Sequence, residues 1–207
     1  MCLLESIRIE QGEVQLLHYH QRRMDASAQA LWHTAAPSLQ HCVEAMSLPA
    51  QGVYKWRLTY NDKGIQTSEL MPYQPKSIHS LQLAQADALE YGFKYADRSA
   101  IMHLWGQRGV CDDILISKQG YITDSSYCNV VLRHVSGVWH TPNTCLLKGV
   151  MRQYLIDTNT IAEVNIKISD LVKYTKVRLV NAMMPWRRCI EMDINAIKKP
   201  HKSIGVL

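Results

Sequence analysis

The 207-residue chain has six cysteines, yet no two of them form a Cys-x-x-Cys pair. Cys2, Cys42, Cys111, Cys128, Cys145 and Cys189 are scattered, and no histidine stands beside them at zinc-ligand spacing. That excludes the common zinc-finger and dithiol redox patterns. A secretory leader is missing too: Met1-Cys2-Leu3-Leu4-Glu5 reaches a charge before any apolar stretch has formed. The thiols are therefore expected to be reduced, in a cytoplasmic protein. No apolar run approaches transmembrane length, so no membrane partner is expected. Repeats and low-complexity tracts are absent. Dense basic stripes are absent as well. The net charge is +5, with the basic residues spread out apart from Arg187-Arg188 and the tail Lys198-Lys199-Pro200-His201-Lys202. A nucleic-acid surface would concentrate them. A mild positive field suits anionic ligands, and it equally describes a solvated surface with a slight basic excess.

What is present is a folding chain. Apolar residues make up 47% of it, enough for a real core in one domain or two small ones. Leu3 to Ile9 alternates as a strand, Gln11-Gly12 turns it, and Val14 to Leu17 returns as its partner. Gln21 to Trp32 has helical spacing at Met24, Ala28, Leu31 and Trp32, and Ser38 to Met46 reads as a second helix. Val53 to Tyr60 and Ile65 to Met71 flank the turn Asn61-Asp62-Lys63-Gly64. Pro72 to Pro75 is the candidate linker. Beyond it, Ile78 to Ala86 reads as a strand and Arg98 to Arg108 as a helix. Short strands follow at Ile114–Ser117, Tyr121–Thr123, Val130–His134 and Val138–Thr141. Then come a helix over Val150–Asp157, strands at Val164–Ile168 and Val177–Val180, and a short helix from Asp170. This is an α+β pattern. It divides into a small N-terminal α/β domain, residues 1–74, and a larger barrel-like domain, residues 75–207.

Three features carry chemistry. Lys94 stands after the loop Tyr91-Gly92-Phe93 and supplies an amine able to form a Schiff base, provided its surroundings lower its pKa. Asp124, in Ile122-Thr123-Asp124-Ser125-Ser126, supplies a carboxylate able to hold a pyridinium nitrogen. It reads alternatively as a turn residue after a strand. Leu147-Lys148-Gly149-Val150-Met151-Arg152 supplies a glycine-led helix start whose amides can bind phosphate. Amine, carboxylate and phosphate cup are the three handles of pyridoxal phosphate.

The motifs and their order resemble the class IV aminotransferases, which include branched-chain and D-amino-acid aminotransferases and aminodeoxychorismate lyase. Leu4-Glu5-Ser6-Ile7-Arg8 is similar to the family's F-E-x-I-R strand, and His20-Gln21-Arg22-Arg23-Met24 to H-x-x-R-L. Lys94-Tyr95-Ala96-Asp97-Arg98 is similar to K-x-x-N-R, and Ile122 to Asn129 to V-T-E-x-x-x-x-N. Thr141-Pro142 matches T-P, and Leu147 to Arg152 matches L-x-G-I-x-R. Asn181-Ala182-Met183-Met184-Pro185 is closest to the lyase branch, N-A-L-M-P.

The resemblance implies a two-domain fold with pyridoxal 5'-phosphate in the cleft and a homodimer in which a partner loop completes the site. It implies Lys94 as the Schiff-base lysine and Asp124 as the pyridine partner. Arg23 becomes the phosphate clamp, with Arg22 the rival and the helix's polar face the plain alternative. Gly149, Val150 and Met151 form the phosphate cup, closed by Asn181, Ala182 and Met183. Arg8 lies beside the substrate opening. Lys55, Arg57 and Arg187 are unranked candidates for carboxylate recognition, Tyr95 and Asp97 are candidate supports for Lys94, and Trp186 reads as core. Asp124 departs from the family's Glu by one methylene, and Met151 stands where a hydroxyl residue is common. The full-length family has a further segment before the first strand, which bears on the substrate more than on the cofactor. A short subfamily and a shortened chain both account for its absence. The implied activity is aminodeoxychorismate lyase chemistry, which releases pyruvate and 4-aminobenzoate for folate synthesis. The alternatives are amino transfer between an amino acid and a 2-oxo acid, or cofactor binding with little turnover.

Overall fold

The computed structural model describes residues 1–199; Pro200, His201 and Lys202 of the basic tail, and the end of the expected second domain, lie outside the described residues. The chain opens with β1 (Leu3–Glu10) and the short β2 (Glu13–Val14). Helices α1 (Leu17–Trp32) and α2 (Leu39–Glu44) follow, then the hairpin of β3 (Val53–Asn61) and β4 (Gly64–Pro72). These strands form one antiparallel sheet in the order β2-β1-β3-β4. Leu3, Ile7 and Ile9 of β1 join Trp56 and Leu58 of β3 in a core with Met24 of α1 and Leu39 of α2. Opposite pairs share a face, so Ser6 opposite Arg57 and Arg8 opposite Lys55 lie on the other side of the sheet.

The second part begins with β5 (Leu81–Gln85) and α3 (Ser99–Trp105), which tightens into a 3₁₀ turn over Gly106–Arg108. Strands β6 (Asp113–Lys118), β7 (Tyr121–Ser125), β8 (Asn129–His134) and β9 (Trp139–Pro142) follow. Next are α4 (Val150–Asp157), β10 (Ala162–Val164), β11 (Tyr174–Val180), β12 (Ile190–Asp193) and β13 (Ile197–Lys198). The sheet runs β10-β9-β8-β7-β6-β5-β13, and β11 pairs with both β8 and β12. It therefore forks at β8. Its core gathers Leu81, Leu115, Ile122, Val130, Leu132 and Val177. Among the described residues, no helix is long and apolar enough to cross a membrane, and the six cysteines are free thiols.

Two expected elements differ. The return strand over Val14–Leu17 stops at Val14, because Leu16 adopts a left-handed conformation (φ 54°) that starts α1 at Leu17. The strand expected over Val164–Ile168 ends at Val164, and Ile168 opens a 3₁₀ turn to Lys173, capped by the Asp170 carboxylate, which accepts from Lys167 N–H at 3.0 Å. Gln11 and Gly12 take positive φ at the first turn, and Gly64 at the β3–β4 turn, as those tight connections require.

α1 is fixed to the sheet by one buried ionic cluster. Glu5 is fully buried. Its carboxylate accepts from Arg23 Nε at 2.8 Å and from Arg23 NH2 and His20 Nδ1 at 2.5 and 2.6 Å. Burial alone would raise the Glu5 pKa, but the Arg23 charge and the His20 hydrogen bond outweigh it and hold the value at about 2. A carboxyl lowered on folding stabilises the fold above its unfolded value, near 4.5, and that contribution is lost as the pH falls through about 2. Glu5→Gln leaves Arg23 buried without its counter-charge, so urea denaturation at neutral pH should show a loss of about 3–5 kcal/mol. The deficit should shrink as wild type is acidified toward pH 2. A variant as stable as wild type would show that α1 does not depend on this cluster.

Candidate active site

A cavity of about 560 Å³ lies between the two sheets. Its lining carries five basic side chains, Arg23, Lys55, Lys76, Lys94 and Arg98, and a single acid, Asp124. Such a lining favours an anionic guest.

Lys94 sits on a segment stitched to β1. Its carbonyl accepts from Leu4 N–H at 2.8 Å, and Ala96 N–H donates to the Cys2 carbonyl at 2.9 Å. A bridge between Leu3 and Tyr95 completes the pairing. The backbone is thus fixed while the side chain faces the cavity, where its amine makes no hydrogen bond among the described residues. Burial, followed by the Arg23 guanidinium, brings its pKa down to about 8, against a partial pull from Glu5. A neutral amine is then accessible close to neutral pH, as a nucleophile requires.

Asp124 ends β7 and is buried. Its Oδ2 accepts from the amides of Leu146 at 2.7 Å and Leu147 at 3.1 Å. Its Oδ1 accepts from Asn129 Nδ2 at 2.7 Å, and that amide also donates to the Leu147 carbonyl at 2.7 Å. A carboxylate has about four acceptor positions, so one remains toward the cavity. Burial raises the Asp124 pKa to about 6, with the three N–H donors pulling the other way.

Gly149 caps α4 in an extended conformation. The space of a side chain there is taken by Asn129 Oδ1, so only glycine fits. Gly149 and Val150 line the cavity, whereas Met151 points into the core with Val131 and Leu155 and can offer only its backbone amide. The first amides of a helix have no intrahelical acceptor. Arg152 anchors the helix from behind, buried and bonded to the Pro142 carbonyl at 3.0 Å and to Glu163.

Arg23 and Arg22 separate cleanly. The Arg23 side chain is 14% exposed and lines the cavity, and its NH1 makes no hydrogen bond among the described residues. The Arg22 side chain is 64% exposed, over the Tyr19 ring and near Asp157. Asn181, Ala182 and Met183 line the cavity as expected. Among the carboxylate candidates only Lys55 lines it, while Arg187 is exposed on the surface. Trp186 is half-buried and packs edge-on against Trp139, with Arg178 over its face, against the cluster of Val131, Met151 and Leu155. Asp97 is exposed and accepts from Ser99 N–H at 2.8 Å, just ahead of α3.

Arg8 is buried and is not among the residues that line the cavity. Its NH1 donates to the Met183 carbonyl at 2.5 Å, and its Nε and NH2 meet Glu10 at 3.1 and 2.9 Å. Each of its guanidinium nitrogens is thus engaged. Three residues of the wall were given no role from the sequence. Asn129 holds Asp124. Arg98 donates to the Ser126 carbonyl at 2.6 Å and braces the β7–β8 turn. Lys76 lies 5.9 Å from the Tyr127 ring. The Asp124–Asn129 spacing across a hairpin turn was a signal for the first. Arg98 is the arginine of the segment similar to K-x-x-N-R, and nothing local pointed to Lys76.

The sequence profile of the family described as "Amino-transferase class IV" matches residues 2–192. An uncharacterised Haemophilus influenzae protein is 34% identical over 184 residues, covering 87% of this chain and 97% of that protein. A crystal structure from Haemophilus somnus, assigned provisionally as a 4-amino-4-deoxychorismate lyase, is 31% identical with a TM-score of 0.82, covering 88% of this chain and 96% of that one. A hypothetical Mycobacterium tuberculosis aminotransferase in its PLP-bound form shares the fold, with 16% identity and a TM-score of 0.71 over 92% of this chain and 80% of that one.

The amine should report its own environment. Pulse acylation of cofactor-free protein, followed by peptide mass spectrometry, should show Lys94 modification rising through about pH 8. Surface lysines should still lag there, since their ordinary pKa is near 10.4. Lys94 rising together with the surface lysines would remove the case for an activated amine.

Proposed function

The chain belongs to the class IV aminotransferases, and from that premise we propose that it is a pyridoxal-phosphate-dependent lyase acting on aminodeoxychorismate to release pyruvate and 4-aminobenzoate. The observation that carries the cofactor is the pairing, in one cavity, of an unbonded Lys94 amine with a buried Asp124 that keeps one acceptor position. The Gly149 cradle and the free amides of α4 suit its phosphate. The lyase reading draws support from the Haemophilus somnus relative and from Asn181-Ala182-Met183-Met184-Pro185.

When bound, pyridoxal phosphate supplies a reactive aldehyde carbon and a ring that accepts electrons from the substrate. Each residue then has a task. Asp124 holds a proton on the ring nitrogen through a charge-assisted hydrogen bond. Arg23 NH1 and the amides of Val150, Met151 and Ala182 bind the phosphate. Lys94 would hold the cofactor and would carry a proton to and from the substrate α-carbon. Lys55 and Lys76, free of ion pairs among the described residues and set in the wall, bind substrate carboxylates. The same reading makes the protein a cytoplasmic homodimer serving folate synthesis.

The test is turnover. With aminodeoxychorismate, the protein should release pyruvate without any added acceptor. Exchange that requires a 2-oxo acid would make it an aminotransferase, and bound cofactor with neither reaction would leave a binding protein. Asp124→Asn should lower the rate about 100-fold or more, equivalent to about 3 kcal/mol of transition-state stabilisation. Asp124→Glu should keep much of the activity. An Asn variant that matches wild type would reduce Asp124 to a turn residue.

A further inference from the structure

We infer that Arg8 and Glu10 are positioning residues, which hold the Asn181–Met183 loop in the shape that grips the cofactor's phosphate. The inference rests on the cofactor assignment above.

The loop leaves β11 at Val180 and has no regular structure before Pro185. It is tied down from three directions. Asn181 Nδ2 donates to Cys128 Sγ at 3.1 Å, which fixes it to the β7–β8 turn. Asn181 Oδ1 accepts from Met183 N–H at 2.9 Å, and the Asn181 carbonyl accepts from Met184 N–H at 3.1 Å. The third tie crosses from the other sheet. Arg8 NH1 takes the Met183 carbonyl at 2.5 Å, a contact between residues 175 positions apart.

Arg8 is itself held by Glu10, whose carboxylate also accepts from Arg188 NH2 at 2.8 and 3.1 Å. One carboxylate thus lies between two guanidiniums. Arg8 binds the loop at Met183, and Arg188 lies just beyond the loop's end. Both points are fastened to β1.

The consequence is electrostatic. A carbonyl oxygen turned toward a phosphate repels it, and an amide hydrogen attracts it. Arg8 engages the Met183 carbonyl outside the cavity wall. Asn181 engages the Met183 amide. The Ala182 N–H is left without an acceptor among the described residues, and Ala182 lines the cavity. Arg8 is not a direct cation for the anion. It does not line the cavity, and Glu10 neutralises its charge at 2.9 Å. Its effect passes through the loop.

This role has a signature that general damage to the fold lacks: it acts on the phosphate and not on the ring. The full chain is stripped of cofactor and titrated with pyridoxal 5'-phosphate and, separately, with pyridoxal, which has the same ring and aldehyde but no phosphate. Arg8→Ala should weaken pyridoxal 5'-phosphate about tenfold or more, as expected for losing a charged hydrogen bond, while the pyridoxal affinity stays as in wild type. Glu10→Gln should shift the same ratio in the same direction by less, and it carries the comparison should Arg8→Ala fail to fold. Arg8→Lys, which keeps the charge and loses the fork, should resemble Arg8→Ala. Unchanged affinity for pyridoxal 5'-phosphate in Glu10→Gln and Arg8→Lys, or an equal loss for both ligands, overturns the inference. Wild-type protein that does not bind pyridoxal 5'-phosphate overturns the cofactor assignment, and this inference with it.

Discussion

The site depends on where one buried carboxylate finds its hydrogen bonds. Asp124 lies out of water at the end of β7, where an ionised carboxyl is costly unless donors surround it. Its donors come from three places: the amides of Leu146 and Leu147, and the side-chain amide of Asn129 on β8. Those contacts fix the course of the 145–149 loop, and with it the start of α4. Asn129 then lies so close to Gly149 that no side chain is tolerated there. One interaction therefore sets the acid of the cavity and, a few residues on, the direction in which the free amides of α4 point.

The other half of the cavity is organised by Glu5. It holds Arg23 in a two-pronged grip and leaves one guanidinium nitrogen open toward the cavity. The same Arg23 charge, after burial, helps bring the Lys94 pKa down to about 8. His20, kept neutral by burial, donates Nδ1–H to Glu5 and leaves Nε2 without a partner. Neither half is a site alone. The first sheet supplies Arg23 and, through β1, the backbone anchor of Lys94. The forked sheet supplies Asp124, the α4 amides and the Asn181–Met183 loop. Arg8 crosses between them.

Much of this was legible because the chemistry is local in sequence. Lys94, Asp124 and Gly149 each carry their role in residue type and immediate neighbours, and the turn at Asn61–Gly64 announces its hairpin. The choice of Arg23 over Arg22 came from the resemblance of His20 to Met24 to H-x-x-R-L, and helix geometry added only that adjacent residues, about 100° apart around the axis, cannot both face the cavity. What was not legible was non-local. The Arg8 guanidinium meets the Met183 carbonyl, on a distant loop, and a strand position beside a site looks the same in sequence whether its guanidinium faces the cavity or a backbone oxygen. The early start of α1 was hidden because its buried face includes His20 and Ser27, polar residues that break the apolar period. β12 and β13 were missed for a related reason. They are short, β13 spans two residues, and its parallel pairing with β5 joins segments more than a hundred residues apart.

The central claim is that Lys94 is the residue that carries the cofactor. Protein purified with pyridoxal phosphate should be reduced with borohydride, digested and mapped by mass spectrometry. The account predicts a single pyridoxyl-labelled peptide with the label on Lys94, and its disappearance in Lys94→Ala. A label on Lys55, Lys76, Lys118 or Lys148 in wild type, or one that persists in Lys94→Ala, would contradict it.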